Sequence, residues 1–415
     1  METVKIAIMG QGYVGLPLAM AAVEAGHHVI GFEPDSQRCQ HLCAGDSYIE
    51  DVSCKTLEAA LKTSRYLPTG QEDLLAGFDV AVITVPTPLK DRQPELGAVR
   101  KASESLARHL RRGSMVILES TSHPGTTREI VLPILEVHSQ LRAGVDFHLA
   151  FSPERIDPGN EQWTFANTPK IVSGLTEECR ARAEAFYAGI TKSVVLAASL
   201  EEAELAKVFE NTFRHVNVAL VNELCRVART LGVDVWRTLD LAASKPFGFM
   251  KFAPGPGVGG HCLPVDTVYL SHHLRTQHGE PFRLVELAQE INEAQPAYVV
   301  GRLQAGLNTR FGQALKDARI LVLGLAYKAG VADSRQSPAV EVVAELERRG
   351  ANVDAVDPHV ADGVGMHAPL PYSSYDAVVL LTAHPEFTLA QIAAESTYVL
   401  DTRGVMPDAL HIERL

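Results

Sequence analysis

The sequence predicts an α/β protein built on doubly wound parallel sheets, and three observations carry that prediction. Short apolar runs of strand length recur, each followed by a stretch with helical spacing. This texture occupies both ends of the chain. Between the ends lies a run of about thirty residues without Pro or Gly, too long for an ordinary surface helix. Strands that alternate with helices pair in parallel, because each crossover returns the chain to the same end of the sheet. With 415 residues, 46% apolar and 21% charged, the chain can bury two or three such cores.

In order, VKIAIMG at 4–10 reads as a buried parallel strand, and the helix from about Leu16 to Ala25 stops at Gly26. HHVIGFE is a second strand, and FDVAVITVP, GSMVILES and FHLAFSP repeat the pattern up to about residue 150. These elements place a first domain at 1–198. A different texture begins near Ser199, where EEAELAKVFENTFRHVNVALVNELCRVARTLG reaches Gly232 without a break. Such a spine joins two domains or packs against another subunit. A glycine- and proline-rich loop, KPFGFMKFAPGPGVGGHCLPVD, and further helices complete a helical middle at 199–310. ARILVLGLAY, ANVDAVDP, YDAVVLLTAH and STYVLDTRG then restore the αβ texture in a last domain at 311–415.

Composition excludes several classes. No run of about 18 uncharged apolar residues is present, so no membrane-spanning helix is expected. METVKIAIMG lacks the features of a signal peptide, and a cytoplasmic protein is expected. The formal charge of −12 argues against nucleic-acid binding, which needs basic surface. It leaves room for anionic small molecules held by local donors. Cysteines 39, 43, 54, 179, 225 and 262 have no disulfide or zinc-ribbon spacing. Cys39, Cys43 and Cys54 with His41 would admit a metal, but reduced thiols are the better reading and no metal site is expected.

Three groups of residues carry chemistry. Gly10-Gln11-Gly12-Tyr13-Val14-Gly15 follows the first strand and opens a helix. Gly10 permits the tight turn, Gly12 lets a pyrophosphate approach the backbone, and Gly15 allows close helix–strand packing. The second strand ends at Glu33, where a carboxylate accepts from the adenosine ribose, which favours NAD over NADP despite Arg38 nearby. On the long helix Lys207 and Asn211 are four apart and share a face, which Arg214 or His215 and then Asn222 extend. The alternative for such a stripe is a solvent face. Cys262 sits in Gly257-Val258-Gly259-Gly260-His261-Cys262-Leu263-Pro264-Val265-Asp266. Glycines there let substrate approach the backbone, Asp266 would orient water, and a thiolate attacks aldehydes. The alternative is a thiol serving as a small buried hydrophobe.

At these residues the chain resembles the nucleotide-diphosphate-sugar 6-dehydrogenases, the family of UDP-glucose and UDP-N-acetylhexosamine dehydrogenases. The likeness covers essentially the whole chain, through GQGYVGLPLA, TVPTPL, ESTSHPGTT, SPERIDPGN, ELAKVFENTFR, GPGVGGHCLPVD and GLAYKAGVADSRQSP in the family's order. SPERIDPGN, TPKIVSG, KPFGF and Val265 before Asp266 are most like the N-acetylhexosamine branch.

The resemblance implies two Rossmann-like domains joined by the central helix, a homodimer through that helix, and four-electron oxidation of a sugar C6 alcohol by NAD. Gly10, Gly12, Tyr13, Val14, Gly15, Glu33, Arg38, Thr84 and Pro86 would line the NAD site, with Glu119 and Thr121 near the nicotinamide. Lys328 would meet the substrate pyrophosphate and Arg335 would contact NAD or bridge the ligands. Glu154, Lys207, Asn211, Cys262 and Asp266, with Thr121, would form the catalytic group. Arg155, Arg214, Gly259, Phe247 and Phe249 would face the sugar or nucleotide. The substrate would be UDP-glucose, a UDP-N-acetylhexosamine or TDP-glucose. Two rivals remain at this point: a single-hydride β-hydroxyacid dehydrogenase, and a non-catalytic protein that binds NAD or a nucleotide sugar.

Overall fold

The computed structural model describes residues 3–49, 51–90, 93–157, 160, 162–260, 263–360 and 370–415. The chain divides into two compact units, residues 1–210 with 268–278 and residues 211–267 with 279–415.

The first unit is built on an eight-stranded sheet. Its strands are β1 (Lys5–Met9), β2 (His28–Phe32), β3 (Tyr66–Thr69) and β4 (Val80–Ile83), then, after a two-stranded ribbon of β5 (Leu89–Lys90) and β6 (Gln93–Pro94), β7 (Met115–Leu118), β8 (His148–Phe151), β9 (Lys170–Gly174) and β10 (Val194–Leu196). The sheet order is β10-β9-β8-β7-β4-β1-β2-β3. Every pairing is parallel except β8 with β9, which is antiparallel. At this one pair the parallel sheet takes an antiparallel strand: among the described residues no helix lies between β8 and β9, and β9 returns beside β8. β4, β7 and β8 are buried along their whole length, as strands covered on both faces must be. The chain lays β2 and β3 on one side of β1 and β4 on the other, so the order reverses at the carboxyl end of β1. Ligands of open α/β sheets bind at that kind of reversal.

The helix Leu200–Leu231 is continuous, and the division between the units falls within it. In the second unit β11 (Arg319–Leu323), β12 (Asn352–Val356), β13 (Ala377–Leu380), β14 (Val399–Asp401) and β15 (Ile412–Arg414) form an all-parallel sheet ordered β12-β11-β13-β14-β15. Its order reverses between β11 and β13. Val221, Cys225 and Ala228 of the long helix share one core with Val299, Leu303 and Leu307 of the helix Gln295–Phe311 and with Ile320, Val322, Val379 and Leu400 of the sheet. Gly306 lets that helix approach: a Cβ there would stand 2.1 Å from the Tyr398 hydroxyl.

Candidate active site

The turn after β1 is shaped by three glycines with different duties. Gly10 has φ +96, a left-handed conformation that favours glycine. A Cβ on Gly15 would fall 1.9 Å from the Gly10 carbonyl oxygen and 2.6 Å from Thr84 Oγ1, whereas one on Gly12 would meet no described atom within 4 Å. Two glycines thus close the turn and the third leaves space in front of it. Thr84 locks the turn by donating to the carbonyls of Met9 and Gly10, both at 3.0 Å. Glu33 is buried and accepts from the backbone N–H groups of Gln11 and Asp35 at 3.2 and 3.1 Å. Arg38 lies over the Tyr48 ring, and the Tyr48 hydroxyl donates to the Gln11 carbonyl at 2.8 Å. Tyr13 and Val14 are half-buried beside the turn, and Pro86 is exposed. This cradle, with open space over Gly12 and a carboxylate at the end of β2, fits the pyrophosphate and ribose of NAD.

At the carboxyl ends of β7 and β8 a buried polar cluster gathers. Glu119 is fully buried and pairs with Lys170 Nζ at 3.0 Å, while its other oxygen accepts from the Tyr187 hydroxyl. Ser120 donates to the Val85 carbonyl at 2.7 Å, and Thr121 beside it is half-buried. Glu154 accepts from the Ile156 N–H and faces Lys207 Nζ across 3.6 Å. Burial pushes the Glu154 carboxyl above its ordinary range, while Lys207 and then Lys170 pull it back. One turn beyond Lys207 on the same helix, Asn211 donates from Nδ2 to Asp266 at 2.5 Å, and both side chains are buried. His215 and Asn222 continue the stripe and are fully buried. The solvent-face alternative is excluded for this stripe.

Arg155 is engaged by Glu210 and by the Pro169 carbonyl at 2.9 Å. Arg214 is exposed, as are Phe247 and Phe249. In the glycine-rich loop Gly257 has φ +139, and a Cβ on Gly259 would stand 2.7 Å from Pro338 and 2.9 Å from Tyr327. Cys262 lies outside the described residues; the helix Leu263–His273, with Asp266 in its first turn, starts just after it in the chain. Lys328, half-buried, lies in the segment after β11. Arg335 in the same segment is held bidentately by buried Asp333 at 2.9 and 2.7 Å.

Sequence reasoning missed Lys170 and Tyr187, whose only signal was a lysine opening the apolar run KIVSG. It also missed Arg403 at the end of β14, whose Nε donates to the Leu381 carbonyl at 2.5 Å. Burial lowers the Arg403 guanidinium to about 10 against the pull of Asp401, and Nη1 stands 3.1 Å from where a Gly255 Cβ would be. His359, His384 and Glu386 bring their donor atoms within 4.8 Å of one another. His384 is already committed, with Nε2 3.0 Å from Asp357 and Nδ1 accepting from the Gly330 N–H at 3.2 Å.

The UDP-glucose/GDP-mannose dehydrogenase family matches in three parts: its NAD binding domain over 4–191, its central domain over 201–294 and its UDP binding domain over 321–408. The chain belongs to this family. It is an NAD-dependent nucleotide-sugar dehydrogenase. A UDP-N-acetyl-D-glucosamine 6-dehydrogenase of Pseudomonas aeruginosa is 37% identical over 93% of this chain and 92% of its own length. A UDP-N-acetyl-D-mannosamine dehydrogenase of Pyrococcus horikoshii is 36% identical over 92% of this chain and 90% of its own. The solved structure of UDP-D-ManNAc dehydrogenase from Pyrococcus horikoshii superposes with a TM-score of 0.91 at 33% identity, covering 99% of this chain and 98% of the other. The cradle after β1 lies within the part matched by the family's NAD binding domain, and no helix among the described residues is long and apolar enough to cross a membrane.

Proposed function

We propose that this dehydrogenase oxidises the C6 hydroxyl of a UDP-N-acetylhexosamine to a carboxylate, with Cys262 as the covalent nucleophile. The observation that carries the reading is the buried pair of positions on the long helix. Lys207 offers a cation and Asn211 an amide donor one turn on, and each faces a buried carboxylate, Glu154 and Asp266. A cation and a neutral donor held out of water are what a developing oxyanion needs. NAD bound over the glycine turn would accept one hydride, and a second NAD taking the place of the released NADH would accept the other, which together make a four-electron oxidation.

The chain's own residues do the rest. Lys207 stabilises the alkoxide from which the first hydride leaves, and Glu154 or Asp266 takes up the proton directly or through water. The Cys262 thiolate adds to the resulting aldehyde carbon, giving a thiohemiacetal whose oxyanion Lys207 and Asn211 stabilise. Loss of the second hydride leaves a thioester. Water, oriented by a carboxylate, displaces the thiolate and releases the acid. Glu33 selects NAD, since a 2′-phosphate would meet its buried negative charge. Lys328, Arg335 and Arg403 offer cationic groups to phosphates, with 1–198 as the NAD domain, 199–310 as the helical dimerisation segment and 311–415 as the sugar-nucleotide domain. SPERIDPGN, TPKIVSG, KPFGF and Val265, together with the two named relatives, support an N-acetylhexosamine over glucose.

A homodimer through the long helix is part of the reading. Leu205, Phe209, Phe213, Leu220 and Val227 are 45, 59, 41, 60 and 47% exposed, and their spacing puts them on one helical face.

Cys262→Ser tests the covalent step. A hydroxyl is a poorer nucleophile at neutral pH and its ester hydrolyses more slowly. The variant is expected to bind NAD and sugar, then stop near one NADH per site or trap an ester visible by intact-protein mass spectrometry. Two-NADH turnover at a near wild-type rate would remove Cys262 from the mechanism.

A further inference from the structure

We propose that Lys170 is a positioning residue for Glu154, fixing where the carboxylate that faces Lys207 stands; the proposal rests on the functional reading above. Lys170 opens β9 and its side chain is 5% exposed. Its ammonium meets Glu119 Oε2 at 3.0 Å and donates to the Pro153 carbonyl at 3.1 Å. The rings of Tyr187 and Phe165 lie 5.1 and 5.6 Å away. One charged group therefore ties together the carboxyl ends of β7 and β8, the start of β9, and Tyr187 of the helix Glu177–Ala188.

The contact with Pro153 matters most. That carbonyl belongs to the peptide bond leading into Glu154, and a proline has no N–H of its own to brace the segment. Anchoring the carbonyl sets the direction in which the chain leaves β8, and with it the place of the Glu154 carboxylate 3.6 Å from Lys207 Nζ. Stability alone does not call for a lysine here. A buried ion pair gains little over well-packed apolar residues of the same volume.

The charge of Lys170 acts on the same carboxylate. Burial raises the Glu154 carboxyl, Lys207 and then Lys170 lower it, and Glu119 raises it again. Arg155, next in the chain, is engaged by Glu210. Lys170 thus holds Glu154 in place and pulls its carboxyl down against the rise that burial causes, while Glu119 holds the Lys170 ammonium where it is needed.

The experiment compares Lys170→Arg, Lys170→Met and the double variant Lys170→Met/Glu119→Gln, each in the full-length enzyme. Lys170→Met is expected to lower kcat by ~10–100-fold, the cost of a misplaced catalytic group. KM for NAD and for the sugar nucleotide should stay within about threefold, because binding is not what is lost. The acid limb of kcat should move to higher pH. Lys170→Arg restores most of the rate and the wild-type limb. The double variant leaves no unpaired buried charge, so it reads the effect if the single one fails to fold, and it should show a smaller shift of the same sign. An infrared difference titration against Glu154→Gln follows the same carboxyl without turnover. Wild-type kcat and an unmoved Glu154 titration in Lys170→Met or the double variant would overturn the proposal. Absence of NADH release by the wild type with any nucleotide sugar would instead overturn the functional reading, with the infrared titration still deciding the role of Lys170.

Discussion

Gly15→Ala should break the NAD cradle through the fold, whereas Gly12→Ala should spoil it with the fold intact. At Gly15 the new methyl group would sit 1.9 Å from a backbone oxygen and 2.6 Å from Thr84 Oγ1, when real Cβ atoms essentially never approach within 3.0 Å. The Gly10 backbone must move by about 1 Å, and overpacking of this kind costs about 1–3 kcal/mol. Displacing Thr84 also weakens the single hydroxyl hydrogen bond it shares between the two turn carbonyls, at about 1 kcal/mol. The sum is about 2–4 kcal/mol, which lowers Tm by about 4–16 °C for a unit of this size. At Gly12 there is space, so Gly12→Ala should shift Tm by no more than a few degrees. Its methyl group stands where the pyrophosphate approaches and should weaken NAD binding by about tenfold or more, about 1.4 kcal/mol. Differential scanning calorimetry and a fluorescence titration with NADH read the two effects separately. Wild-type NADH affinity in Gly12→Ala, or an unchanged Tm in Gly15→Ala, would refute this account of the turn.

His215 on the long helix is fully buried, its ring nitrogens have no hydrogen-bond partner among the described residues, and burial pushes it down to about 4 against a weak pull from Glu293. The unfolded chain therefore binds the extra proton between about pH 6.5 and 4, so stability should fall on acidification through that window by about 3 kcal/mol. His215→Leu should flatten the dependence of Tm on pH there, and an equal slope in both proteins would count against it. Sedimentation at micromolar concentration should give twice the 45.0 kDa chain mass, and Phe209→Asp with Phe213→Asp should return it to the monomer. A wild-type monomer would leave the apolar stripe without the proposed partner.

Where local chemistry is written in short runs, the sequence was legible. The strand–turn–helix around Gly10–Gly15, the helix Leu200–Leu231 and the four strands β11–β14 follow from periodicity and glycine placement alone. What it hid depends on partners far along the chain. The antiparallel return of β9 has no local signature, and β3, with the sequence YLPT, has a proline where an apolar run would have marked a strand. Burial of the stripe at Lys207, Asn211 and His215 cannot be read from helical spacing, which looks the same for a solvent face. Lys170 and Glu119 are fifty-one residues apart, and only the fold makes them a pair. Arg403 likewise became visible only once β14 placed it beside Gly255.

The number of NADH molecules released per nucleotide sugar consumed separates a four-electron oxidation from a single hydride transfer. UDP-N-acetylglucosamine, UDP-N-acetylmannosamine, UDP-N-acetylgalactosamine, UDP-glucose and TDP-glucose would each be supplied in limiting amount with excess NAD. Two NADH per sugar and a carboxylate product are expected, with an N-acetylhexosamine preferred. One NADH per sugar with an aldehyde product would make the enzyme a single-hydride dehydrogenase, and none with any of the five would contradict the proposed substrate class.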